Sequence, residues 1–366
     1  MRILLIGEYS NLHWALAEGL RTLGHEVCVV SGGDFWKQYP SDISIIRHRF
    51  DKLSGLTYLI KILSHLPKFR GYDVVQIINP CFFDIKAERN LTLFEYLRKH
   101  NRKIFLGAFG NDYYWVKTCT QTNTFRYSDF FVNNQPRITS YTQSVIHEWI
   151  DSPKEQVNRY MAEKCDGIIA CLYEYWASYQ SYFPDKTVFI PLPVSRNLIR
   201  ERKVYLVPDK VHLFLGIQRT RSDVKGTDIM ERVVDNLAID YADKCIIQKA
   251  VSVPFNQYQQ MIESSDALLD QIYSYTPAMN ALTAMAKGII AVSGGEPENY
   301  QIIQENGLRP IINVLPDEDD IYKKLEELIL NKEQIPELQR QSIEYIRRHH
   351  DHVKVAAQYL KFWESR

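Results

Sequence analysis

The sequence predicts an α/β chain built from two doubly wound parallel-sheet domains in tandem. Short apolar runs of strand length alternate with stretches of helical period almost from end to end, and 366 residues suffice for two separate cores. The opening makes the pattern explicit. Arg2–Ile6, the periodic stretch LHWALAEGLRTLG ending on Gly24 and the run HEVCVVSGG form a strand–helix–strand unit, and such units build parallel sheets with right-handed crossovers.

The alternation continues with strands at Asp73–Asn79 and Lys103–Gly110 around a helix over Thr92–His100. A strand over Asp166–Leu172, a helical stretch over Tyr173–Tyr182 and a strand over Thr187–Val194 follow. Pro191 and Pro193 stop that last strand and lead into the charged run RNLIRERK, where the interdomain linker is expected. A second series then begins: a strand over Val211–Gln218, a helix over Thr227–Leu237, a strand over Lys244–Ala250, a helix in FNQYQQMIESS and a strand in DALLDQ. The segment SYTPAMNALTAMAKGIIAVSGGEPENY reads as a helix start, a buried strand and an acidic loop. A helix over DDIYKKLEELILN and a long one over Ser342–Trp363 close the chain. The expected division is therefore 1–195, 205–341 and a C-terminal helix over 342–366 that crosses back to the first domain.

Composition narrows the function classes. With 44 basic and 44 acidic residues the formal net charge is zero, which supplies no electrostatic footprint for nucleic acid. Cys28, Cys81, Cys119, Cys165, Cys171 and Cys245 are scattered with no C-x-x-C pair, as expected of small buried hydrophobes in a reducing cytosol rather than of a zinc site or a disulfide framework. The apolar run in MRILLIGEYS is too brief for a signal-peptide core, and no stretch approaches the roughly 18 apolar residues of a membrane span. A soluble, cytoplasmic chain is expected. Leu56–Arg70, apolar with basic and aromatic residues, suits either a helix packed on the first sheet or an interfacial helix on a membrane surface. The tyrosine-rich stretch from Tyr113 to Tyr182 either lines a site or covers one domain.

Ligands of open parallel sheets bind beyond the carboxyl ends of the strands, and two such sheets can place those ends across a shared cleft. The loop after the first strand, Gly7–Asn11, has one glycine where a dinucleotide fingerprint needs three, so it reads as a plain βα turn or a close approach to a phosphate or sugar. His13, one turn into the next helix, is expected to pack or hydrogen-bond locally. Asp112 follows the strand over 103–110 and suits either a base or hydroxyl-binding group or the cap of the next helix. Gly216–Gly226 carries Arg219, Arg221 and Lys225 after a buried strand, which suits a diphosphate clamp or a solvated loop. Thr276 is expected to cap a helix with Pro277 at its first position, aiming the N–H groups of Ala278, Met279 and Asn280 at an anion. Glu296 and Glu298, beside Gly294 and Gly295, suit the hydroxyls of a sugar or ribose.

At RILLIGEYS, LGHEVCVVS, CDGIIA, GIQRTRSDVKG and NALTAMAKGIIAVSGGEPE the chain resembles the nucleotide-sugar glycosyltransferases of the GT-B fold, group 1 or family 4 type, over nearly its whole length. The resemblance implies two Rossmann-like domains facing a central cleft, with a C-terminal helix like HHDHVKVAAQYLKFW crossing between them. It implies transfer of a sugar from a nucleoside diphosphate sugar to a glycan or lipid-linked acceptor in surface polysaccharide or glycan assembly, with neither cofactor nor metal. Arg219 and Lys225 would then hold the donor diphosphate as catalytic cations, with Gly7, Gly216 and the amides of Ala278 to Asn280 lining the donor pocket. The family's paired glutamates would fall, on aligning Ala284-Met285-Ala286-Lys287-Gly288, at Tyr275 and Thr283, and Glu296 and Glu298 are the nearby substitutes. The family's usual histidine of the first domain has no clear counterpart, and Asn111 and Asp112 occupy the nearest loop. Two other readings fit the same residues: a non-catalytic nucleotide-sugar-binding protein and a nucleotide-sugar epimerase of this fold.

Overall fold

Most of the core strands are runs of β-branched and other apolar residues that a parallel sheet buries on both faces. The structure, a computed structural model, describes residues 1–34, 37–49, 51–200 and 205–366, without the side chains of 255 and 256. The strands are β1 (Arg2–Ile6), β2 (Glu26–Ser31), β3 (Ile43–Ser44), β4 (Val74–Ile77), β5 (Lys103–Ala108), β6 (Phe131–Val132), β7 (Gln135–Pro136), β8 (Gly167–Ala170), β9 (Thr187–Phe189), β10 (Val211–Ile217), β11 (Cys245–Val251), β12 (Ala267–Leu269), β13 (Ile290–Ser293) and β14 (Ile312–Asn313). Among the described residues one sheet runs β3-β2-β1-β4-β5-β8-β9 and another β11-β10-β12-β13-β14, all parallel, while β6 and β7 make a small antiparallel hairpin. Both orders reverse direction beside their first strand, which is the doubly wound topology.

Register is fixed at the amino ends by one repeated device. Asp73, Asp166 and Asp266 each stand one residue before a strand, and each takes the backbone N–H of the neighbouring strand on its carboxylate: Arg2 at 2.8 Å, Ile104 at 2.7 Å and His212 at 2.9 Å. The N–H of the same aspartate returns a bond to the carbonyl of that residue. Asp42 repeats the arrangement with Val29 ahead of β3.

The chain forms two compact units, one of residues 1–122, 144–195 and 352–366, the other of residues 123–143 and 196–351. Two features differ from the sequence expectation. Residues 123–143, expected in the first domain, belong to the second unit, where Arg137 donates to the carbonyl of Asp223 at 2.6 Å and lies 3.7 Å over the Tyr273 ring. The expected continuous helix over Ser342–Trp363 is two helices, Ile335–Tyr345 and His352–Ser365, joined through a π turn over Ile346–His350 and broken at Asp351. Asp351 leaves the helical region, at φ −55 and ψ 119, because its carboxylate is held by the Arg196 guanidinium. Of the expected linker over 196–203, residues 201–203 lie outside the described residues.

Within the first unit the helix over His352–Ser365 packs on the helix over Leu12–Thr22, and Gly19 permits it, because a Cβ there would meet the His352 carbonyl. Phe105 and Trp363 pack at 6.1 Å beneath it. The second unit is cored by Val211, Leu213, Leu215, Met230, Val233, Leu237, Ile290, Val292, Ile321 and Leu325. Removing one aspartate clasp should loosen the fold without changing its topology. Asp266→Ala is expected to cost about 1.5 kcal/mol, read as a lower urea midpoint at unchanged m-value in chemical denaturation.

Candidate functional site

In the second unit the chain leaves β10 for β11 on one side and then crosses to β12 on the other, so the carboxyl ends of β10 and β12 flank the topological switch point. Lys225, beyond β10, and Asp270, immediately after β12, meet there: Lys225 Nζ donates to Asp270 Oδ1 at 2.7 Å. Asn280 Nδ2 donates to the same oxygen at 2.9 Å and to the Tyr258 hydroxyl at 3.1 Å. Asp270 is 2% exposed, and its Oδ2 has no hydrogen-bond partner among the described residues. Gly226, at φ 73, makes the geometry possible by ending the short helix over Ser222–Lys225 and starting the next, with Ile272 filling the place of its missing Cβ. Gly216 has a related role. The space left by its missing side chain is taken by the ring of Tyr258, which packs edge-on against Phe214 at 5.2 Å.

Arg219 stands apart from this cluster. Its guanidinium makes a two-pronged pair with Glu231 at 2.6 and 3.1 Å on the open surface, more than half exposed.

The helix start is displaced from its expected place. Helix Met279–Ala286 begins after an Ala278 cap that makes no side-chain bond, so Thr276 is not the cap and Pro277 is not the first helical residue. The cause is a tie formed from a distant loop: the Glu296 N–H donates to the Tyr275 carbonyl at 3.0 Å, and Gly294 lets that loop pack against the Ser274 carbonyl. With Ser274 and Tyr275 tied down and Thr276 biased to extended backbone by Pro277, helical turns begin only beyond them. Met279 and Asn280, whose first-turn amides have no intrahelical partner, therefore start the helix, with the Asn280 side chain reaching Asp270, and Ala278 is the cap.

Glu296 and Glu298 are engaged by the chain itself rather than facing open space. Glu296 is buried; its Oε1 accepts from the Tyr127 hydroxyl at 2.7 Å and from Asn313 Nδ2 at 3.0 Å, and its Oε2 accepts from Arg126 at 2.7 Å. Arg126 also pairs with Glu298, whose carboxyl it holds below the usual range. The Arg126 N–H donates to the Tyr275 hydroxyl, its guanidinium lies 4.9 Å over that ring, and Tyr127 stacks on the same ring at 4.9 Å. Residues 123–127 thus form a strap over Tyr275 and the acidic loop. The tyrosine-rich stretch signalled something of the kind, but the pairing of Arg126 with residues about 170 positions away carries no local signature.

In the first unit Gly7 is positive in φ, and a Cβ there would collide with Ile78. Its carbonyl receives His13 Nδ1 at 2.7 Å, and His13 is fully buried, with burial holding its pKa down to about 4. Glu8 caps the following helix by accepting from the N–H groups of His13 and Trp14 at 3.2 and 2.9 Å. Asp112 does the same for helix Tyr113–Gln121: Oδ1 accepts from the Trp115 N–H at 2.9 Å and Oδ2 from the Tyr179 hydroxyl at 2.8 Å. It is fully buried, and burial pushes its pKa up to about 7. The structure therefore makes Asp112 a cap with both oxygens committed, not a group facing a substrate. Asp270, Tyr258 and Arg126 are the additions that the sequence reading missed; only Asp270, polar at the end of an apolar strand, carried a local signal.

No family model matches the sequence, and no curated protein does. Solved structures match its fold. Sucrose-phosphate synthase from Thermosynechococcus elongatus is similar over 100% of this chain and 98% of its own, at 12% identity and a TM-score of 0.60. Anabaena HepE, solved with UDP and glucose, is similar over 100% of both chains at 12% identity and a TM-score of 0.59. WaaG, a glycosyltransferase involved in lipopolysaccharide biosynthesis, is similar over 98% of each chain at 12% identity and 0.59. The architecture of this chain is the GT-B fold.

Asp112 stays protonated in the folded state up to about pH 7, whereas an unfolded aspartate ionises near 4. Between those values the folded state binds the extra proton, so this residue makes stability fall as pH rises. Asp112→Asn should remove that slope, and denaturation across the window should show the variant gaining on the wild type until about pH 7. Arg126→Ala should free the strap, raising the rate of chymotrypsin cleavage within 123–143 by about five-fold under native conditions.

Proposed function

We propose that this chain is a glycosyltransferase that moves a sugar from a nucleoside diphosphate sugar to a hydroxyl acceptor, with the switch point of the second unit holding the diphosphate. The observation that carries the reading is the cluster of Lys225, Asp270 and Asn280 at the carboxyl ends of β10 and β12, beside the open amides of helix Met279–Ala286. An ammonium and a helix amino terminus are the two groups that favour an anion at such a point. In the reaction the bond from the anomeric carbon to the diphosphate oxygen breaks, the acceptor oxygen bonds to that carbon, and its proton leaves with the medium. Negative charge grows on the departing diphosphate. Lys225, Arg219 once released from Glu231, and the amides of Met279 and Asn280 stabilise it, and on this reading they take the part that a metal plays elsewhere.

Support for a nucleotide-sugar donor comes from HepE, solved with UDP and glucose, and for surface glycan assembly from the role of WaaG in lipopolysaccharide biosynthesis. The resemblance in NALTAMAKGIIAVSGGEPE supports the group 1 or family 4 type. Six cysteines that form no disulfide among the described residues suit a reducing compartment, and we place the activity in the cytoplasm.

One observation favours a second reading, a nucleotide-sugar-binding protein without transfer. Tyr275 and Thr283 stand where the resemblance expects carboxylates, and the nearby Glu296 and Glu298 are consumed by Arg126, Tyr127 and Asn313. Incubation with a panel of nucleotide sugars and acceptors separates the two, since only the transferase releases free diphosphate.

Replacing Arg219 and Lys225 together by Ala should weaken UDP binding at least about ten-fold by calorimetry and abolish diphosphate release. Because Lys225→Ala strands a buried carboxylate, Lys225→Met with Asp270→Asn provides the charge-neutral comparison and should lose binding equally. Unchanged UDP affinity in both variants would overturn the assignment of this site.

A further inference from the structure

The helix over Lys52–His65 buries only Tyr58 and Ile62 against the first unit. Leu53, Leu56, Ile60 and Leu63 are 73%, 53%, 56% and 47% exposed, three or four residues apart, so they form one continuous apolar stripe on the outer face. Ile138 and Ile239, also strongly exposed, have no second exposed large aliphatic three or four residues away. Single exposed apolar residues are ordinary; an aligned stripe on a helix capped and anchored at its amino end marks a surface that is covered in use. The anchoring is firm here, because Asp51 accepts from the Ser54 N–H at 2.8 Å.

Charge selects the partner. From Lys52 to Arg70 there is no acidic residue, while Lys52, Lys61 and Lys68 are exposed on this helix and on the turn over Leu66–Phe69 that follows it. Arg70 is already committed to Tyr96, over whose ring it lies at 5.1 Å. A second copy of the chain meeting this stripe would set three lysines against three lysines. An apolar ridge flanked by ammonium groups, with the one carboxylate at its amino end, Asp51, taken up in capping the helix, matches instead an anionic lipid surface, with the aliphatic tips entering the headgroup boundary and the lysines staying at the phosphates.

We propose that the helix over Lys52–His65 is a membrane-docking element that seats the first unit on anionic bilayers. It lies parallel to the membrane plane: among the described residues no helix is long and apolar enough to cross one. This inference does not rest on the transferase reading and stands or falls by lipid binding alone.

The test uses the full chain and sucrose-loaded vesicles of phosphatidylcholine with and without phosphatidylglycerol. The wild type should sediment with the anionic vesicles and weaken steeply with salt. Leu56→Asp with Ile60→Asp should reduce that binding at least about ten-fold, and Lys52→Glu with Lys61→Glu should reduce it comparably, both at unchanged melting temperature because all four side chains are exposed. As a second measurement, a polarity-sensitive dye on Leu53→Cys should shift to the blue on adding anionic vesicles. Failure to bind anionic vesicles, equal binding by the Leu56 and Ile60 variant, or a dimer in light scattering that the same variant abolishes would each overturn the proposal.

Discussion

The structure depends first on where its parallel strands are clamped. Asp73, Asp166 and Asp266 each close the amino end of a strand pair by exchanging two hydrogen bonds with the neighbouring strand, one through the carboxylate and one through the backbone. A slip of one residue would move every side chain to the other face of a sheet that is buried on both, so a fixed starting point is worth more than the bonds alone. With the amino edges closed, the irregular backbone that loops require is confined to the carboxyl edges, and there the chain places its polar side chains.

The contrast between Asp266 and Asp270 shows the two ends of one strand put to different uses. Asp266 enters β12 with its carboxylate bonded to the His212 N–H and to Gln339 at 3.3 Å, and it serves the fold. Asp270 leaves β12 with Lys225 and Asn280 sharing one oxygen and, among the described residues, no hydrogen-bond partner on the other. A buried oxygen without a partner costs about 1–3 kcal/mol, and such groups concentrate where strain or a ligand gives a reason for them. The same chemistry is structural at one edge of the sheet and, under the proposed function, left open for a ligand at the other.

The architecture was legible because its causes are local. Strand runs such as VHLFLGI, the amphipathic helices between them and an aspartate ahead of VVQI, GIIA and ALL all appear in the sequence as they appear in the fold. What misled were positions decided from far away. Thr276 has the composition of a cap, yet the helix starts at Met279 because Glu296 ties down Tyr275. Ser342–Trp363 has one helical period, yet it breaks at Asp351 because Arg196, 155 residues earlier, holds that carboxylate. Glu296 and Glu298 looked available because nothing near them in sequence would pair with them. Arg126 does so from a stretch that composition alone assigned to the first domain.

Charge matching explains how an anion site can exist in a chain of zero formal net charge. Three basic side chains near the carboxyl edge of the second sheet already have a carboxylate: Arg219 with Glu231, Lys225 with Asp270, Arg126 with Glu296 and Glu298. Under the proposed function these pairs are not equivalent. The Arg219 pair is solvated, holds little free energy, and can be exchanged for a phosphate with little loss. Lys225 faces a carboxylate that is fully buried, and removing the ammonium would leave that charge uncompensated. Lys225 therefore remains in place and shares its remaining protons with the ligand, while Arg219 is the side chain that changes partner. On that proposal a diphosphate is recognised by a fixed ammonium, the helix-start amides and one movable guanidinium, and in a chain of zero formal net charge long-range attraction contributes little.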